Sequence, residues 1–153
     1  MNYRDTLEEV ELRVNLDREF DSIARFVIGV CRSLELSAVA RDALKVATRY
    51  LEHAASDEEL ERARVACWVS IKGRDSNIAD REVASTRAAI CATYPRGWPA
   101  DAFSGLDAFE DFATAAGANS EDLTVALQAA FADALRRDAA QPGVAADGAP
   151  PRR

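Results

Sequence analysis

Histidine and cysteine carry the widest chemistry of any side chains, and this chain uses both sparingly. His53 is its only histidine, so no His pair exists to hold a metal or relay a proton. It falls near a predicted helix C-terminus, where an imidazolium suits the helix dipole. Cys31, Cys67 and Cys91 are odd in number, stand 36 and 24 residues apart, and form no CxxC clip. Each lies in an apolar helical pattern, which points to buried, reduced thiols rather than a zinc site. Glu8-Glu9 and Glu58-Glu59 are paired carboxylates, but adjacent residues of a helix do not face one another. Neither a nucleophile elbow nor a glycine-rich phosphate loop occurs. These residues predict no enzyme, no metal site and no cofactor.

Charge is the more informative chemistry. The chain of 153 residues has a formal net charge of −7. Residues 97–135 contain no Lys or Arg but seven acids: Asp101, Asp107, Glu110, Asp111, Glu121, Asp122 and Asp133. Part of this is local helix chemistry, since acids in a first turn complement the dipole. The remainder is a single-sign surface that would attract a basic protein and speed its capture. The same sign disfavours nucleic acid, because phosphates require a basic face. Trp98, in the sequence Pro-Arg-Gly-Trp-Pro beside the acids, either packs under its turn or serves as an exposed anchor of the kind enriched at interfaces. The expected partner-binding residues are therefore Trp98, Asp101, Asp107, Glu110, Asp111, Glu121 and Asp122.

The elements that must position them are helical. Leu7, Val10 and Val14 share one face, Asn15 marks a break or an N-cap, and Phe20, Ile23, Ala24, Val27 and Cys31 continue at helical steps; Leu12 and Leu16 leave open one continuous helix without a break. Phe26, Val30 and Leu34 widen that second face enough to make it central to the core. Val39, Ala40, Ala43, Ala47, Tyr50, Leu51 and Ala54 form one face of a third helix, Ala38 to Ala54. Ser56 and Glu59 have capping-box spacing ahead of a helix bearing Leu60, Ala63, Cys67, Trp68 and Ile71, with Gly73 as its αL end. Asp75 to Asn77 offer an N-cap to a helix lined by Ile78, Val83, Ala84, Ile90 and Tyr94 and stopped by Pro95. Pro95, Gly97 and Pro99 mark a turn. A helix through Leu106, Phe109 and Ala113 follows and closes near Gly117. Ser120 opens a last helix running from Leu123 to Leu135.

The segment from Ala43 to Trp68 resembles the all-helical immunity proteins of bacterial polymorphic-toxin or contact-dependent-inhibition systems. Their recurring pattern, ALxxxxxYLxxxASxxELxxARxAAW, is carried here by Ala43, Leu44, Tyr50, Leu51, Ala55, Ser56, Glu59, Leu60, Ala63, Arg64 and Trp68. The resemblance implies binding to, and neutralisation of, a cognate toxin encoded nearby. A nuclease toxin must be basic where it holds phosphates, so its inhibitor is expected to be acidic there.

The expected fold is all-α, a single helical bundle-like domain of about six or seven helices over residues 1–140. An Ala/Pro/Gly-rich tail, 141–153, cannot bury a core and is expected to be disordered. No stretch approaches the roughly 20 apolar residues of a membrane span, and the charged N-terminus is not a secretory signal. The expected location is cytoplasmic, the expected role stoichiometric occlusion of a basic protein toxin. Two other classes fit the sequence: a small-molecule or metal-dependent enzyme inside a helical bundle, or a regulatory adaptor.

Overall fold

The computed structural model of the protein describes residues 1–94, Trp98 and 101–140. Among these the chain forms eight α-helices and no strand, the all-α architecture that the apolar periodicity implies. The helices are α1 (Tyr3–Arg13), α2 (Phe20–Cys31), α3 (Ala38–Leu51), α4 (Asp57–Ser70), α5 (Arg81–Ile90), α6 (Ala102–Ala115), α7 (Ser120–Ala130) and α8 (Ala132–Ala140). A 3-10 turn, Leu16–Arg18, joins α1 to α2. The expected tail and the prolines of the expected turn before α6 lie outside the described residues.

The chain breaks at Asn15, whose side chain accepts from the Asp17 amide at 3.2 Å. The break settles two leucines differently: Leu12 points to solvent, 87% exposed, while Leu16 is buried. Helix α2 buries Ile23, Ala24, Phe26, Val27, Ile28, Val30 and Cys31 and touches α3, α5, α6 and α7, which makes it the central element. Each large apolar side chain so buried contributes about 1.5–3 kcal/mol. Tyr3, Phe26 and Phe109 run through the core, with ring centroids 6.3 Å and 5.6 Å apart. Burial of Tyr3 is tolerable because its hydroxyl donates to the Leu106 carbonyl at 2.8 Å.

Helices α3, α4 and α5 pack on one another around a smaller core of Ala43, Cys67, Ile71, Val83 and Ile90. The capping box at the start of α4 forms in both directions: Ser56 accepts from the Glu59 amide, and Glu59 accepts from the Ser56 amide. Helix α3 ends in a Schellman motif, with Ala54 N–H donating to Arg49 O at 2.8 Å and His53 N–H to Tyr50 O at 3.0 Å. The left-handed residue of that motif is His53, φ +60°. Gly117 fills the same place after α6 with φ +107°.

Three boundaries differ from the sequence expectation. Asp80, rather than Asp75 to Asn77, caps α5, accepting from the amides of Glu82 and Val83 at 2.9 and 3.3 Å. Arg74 reaches both Asp80, at 3.0 Å, and Glu82, and ties the intervening turn to the helix start. Asn119, one residue before Ser120, caps α7 because its amide oxygen meets the amides of Glu121 and Asp122. The last helix is divided at Phe131, which is fully buried; the turn there lets α8 lie along α1, where Arg13 pairs with Asp138 at 3.2 Å.

Candidate functional site

Helix α6 and the start of α7 carry the acidic surface. Asp101 is the N-cap of α6. Its two carboxylate oxygens accept from the Ser104 amide and hydroxyl at 2.9 and 3.0 Å, and these bonds hold it below the ordinary carboxylate range. Asp107, two turns along, accepts from Arg4 of α1 at 2.9 Å. Arg4 also meets Glu8 at 3.0 Å and lies 4.9 Å from the centre of the Phe103 ring. The acidic segment thus lacks cations in sequence but receives one in space.

Glu110 is half-buried. Burial pushes its carboxyl above the ordinary value, and the neighbouring charges of Asp111 and Asp107 push it further the same way. Ser120, at the start of α7, lies close enough to donate to it and oppose the shift. The middle of α6 and the first turn of α7 are therefore adjacent. Asp111, Glu121 and Asp122 are exposed. No ion pair among the described residues involves Glu110, Asp111, Glu121 or Asp122, whereas Asp107 is paired. Glu121 and Asp122 also sit where the α7 dipole and the freed amides favour negative charge.

Trp98 stands apart from these four acids. It is half-buried, its indole N–H donates to the Cys91 carbonyl at 3.0 Å, and its ring lies close against Gly105 of α6. A methyl group on Gly105 would stand 2.5 Å or less from three of its ring atoms. The tryptophan thus closes the end of α5 onto the start of α6. It lines a groove with Trp68, Arg87, Tyr94 and Phe112. Sequence reasoning passed over Arg4 and Arg87. Arg4 of α1 acts on α6, far along the chain, and Arg87 of α5 acts on the helices before and after its own; nothing in their immediate sequence marks either.

Residues 43–68 build the α3–α4 corner. Tyr50 donates to Asp57 at 2.6 Å, Arg49 pairs with Glu59 at 2.9 Å, and Arg64 donates to the Thr93 carbonyl at 2.6 Å. Cys31 and Cys67 are buried residues and Cys91 a half-buried one, and all three thiols are free. Burial pushes Cys67 up to about 11 and Cys91 up to about 12, so none is a ready nucleophile at neutral pH. Among the described residues no group of three His, Cys, Asp or Glu side chains is placed to hold a metal ion, and no helix is long and apolar enough to cross a membrane. Compared with family models, with curated proteins and with solved structures, the chain shows no match.

Proposed function

We propose that this protein works by binding alone and captures a basic protein through the surface formed by Glu110, Asp111, Glu121 and Asp122. The observation that carries the reading is the state of Glu110. Burial above all weakens the acidity of this half-buried carboxyl, and the charges of Asp111 and Asp107 add to the effect, while Ser120 and the Arg4 guanidinium only oppose it. Such crowding costs the free protein stability, and a lysine or arginine of a partner would relieve it. Charge of one sign also steers an oppositely charged partner into place. The helix start at Ser120 adds its dipole and would have to be outweighed by the partner's cation, which favours a strongly basic surface over a single lysine.

The resemblance of the α3–α4 corner to immunity proteins supports a specific partner, a toxin that this chain neutralises by stoichiometric occlusion. A nuclease is the toxin class that best matches an acidic inhibitor surface, because its own substrate is polyanionic. The test is an inhibition titration against the toxin encoded by a neighbouring gene. The reading requires activity to fall linearly to zero at one equivalent. Full activity of that toxin at a tenfold excess of this protein would refute it.

A further inference from the structure

The groove beside Trp98 has a chemistry opposite to that of the acidic surface. It has a volume of about 290 Å³, and its walls include Trp68, Ile90, Tyr94, Trp98 and Phe112, with Arg87 among them. The Arg87 guanidinium is held between two rings, 4.4 Å from the centre of Phe112 and 5.2 Å from that of Trp68. One of its nitrogens donates to the Asp75 carbonyl at 2.8 Å. Beside it, Arg64 covers the Tyr94 ring at 4.7 Å. Both guanidinium charges reach the Tyr94 hydroxyl and oppose the upward push of burial on its acidity.

Neither arginine is ion-paired with a carboxylate among the described residues, and residues 95–100 contain no Asp or Glu. In a chain of net charge −7, two half-buried cations without counter-ions are the exception. Stacking fixes the plane of a guanidinium and leaves its edge N–H groups aimed along that plane, the geometry that meets a carboxylate with two parallel hydrogen bonds. The aromatic walls take an apolar body and the cation its acid group, the usual division of labour in a small-molecule site.

We propose that this groove binds a small carboxylic acid carried on an aromatic body, with the carboxylate on the free edge of Arg87 and the ring against the Trp98 and Ile90 walls. The chain has two tryptophans, and both line the groove, so tryptophan fluorescence reports on this site directly. The probes are phenylacetate and its neutral amide, phenylacetamide, titrated into the full chain. The proposal requires a saturable fluorescence change with phenylacetate and binding of the amide weaker by about tenfold or more, the size of a lost charge-assisted hydrogen bond. The variant Arg87→Met keeps the stacked stem without the charge and is expected to abolish the preference of acid over amide, while Arg87→Lys retains part of it. Absence of a saturable change with phenylacetate would overturn the proposal. Equal binding of acid and amide by the unsubstituted protein would overturn it as well, and that comparison stands even where Arg87→Met fails to fold.

Discussion

Among the described residues two glycines lie inside helices, and the structure assigns opposite outcomes to the same substitution. Gly29, in α2, is exposed, and a Cβ added there would meet nothing within 4 Å. Gly29→Ala therefore yields only the backbone benefit of replacing a helical glycine, about 0.5–1 kcal/mol. Gly105, in α6, has the same backbone benefit available, but its Cβ would fall on the Trp98 indole. Trp98 is tethered through Cys91, so the ring cannot yield without losing that hydrogen bond and part of its packing. Overpacking of this kind costs about 1–3 kcal/mol, and a displaced tryptophan costs more, towards the 3–5 kcal/mol of a Trp→Ala change. The net expectation for Gly105→Ala is a loss of about 1–2 kcal/mol. At about 2–4 °C per kcal/mol, thermal unfolding followed by circular dichroism should show Gly29→Ala melting a few degrees higher than the parent and Gly105→Ala a few degrees lower. Tryptophan emission should shift to the red in the second variant alone. A Gly105→Ala protein as stable as the parent with unchanged emission would refute the placement of Trp98, and with it the closure of α5 onto α6.

Three other substitutions probe separate parts of the account. His53 holds a left-handed conformation that costs a non-glycine residue about 1 kcal/mol and is exposed, so His53→Gly is expected to raise stability by up to that amount in a urea titration. The Thr86 hydroxyl is buried without a hydrogen-bond partner, and Thr86→Val removes it at nearly constant shape, for an expected gain of about 1 kcal/mol in the same titration. Glu110 has a folded-state acidity weaker than its unfolded one, so its ionised form disfavours folding above the folded pKa and the penalty fades as pH falls through it. Glu110→Gln should therefore stabilise the protein at neutral pH, with the advantage vanishing in acid; an advantage that grew on acidification would reverse the sign of the argument.

How much was legible in the sequence depended on how local each signal was. The capping box Ser56/Glu59, the break at Asn15 and the helix stop near Gly117 each depend on a few consecutive residues, and all three form. The apolar breadth of α2 announced its central place. The cap at Asp80 was missed because Asp75, Ser76 and Asn77 carry equally good oxygens, and the choice among them is made by Arg74 bonding across the turn. The break at Phe131 was missed because Leu123 to Leu135 keeps helical spacing throughout, and only the packing of α8 on α1 demands a turn. His53 stands where glycine is the usual residue, so its backbone conformation left no compositional trace. The acidic segment was visible as charge, but its internal differences were not. Asp101 caps a helix, Asp107 pairs with Arg4 of α1, Asp133 pairs with Arg136, and the acids with neither an ion pair nor a capping role reduce to Glu110, Asp111, Glu121 and Asp122. The aromatic groove required α4, α5 and α6 to meet, which no single stretch encodes.

The central claim is that this acidic surface captures a basic protein, and association kinetics test it most directly. The measurement is the association rate with the neighbouring-gene toxin at low and at moderate salt, for the parent chain and for Glu110→Lys/Asp111→Lys, with circular dichroism as the folding control. Asp107 is left intact so that its bond to Arg4 survives. The account predicts a parent rate that falls steeply as salt shortens the Debye length from about 30 Å at 0.01 M to about 8 Å at 0.15 M, and a variant rate that is at least tenfold slower at low salt and nearly flat. A folded variant that associates as fast as the parent, with the same dependence on salt, would contradict it.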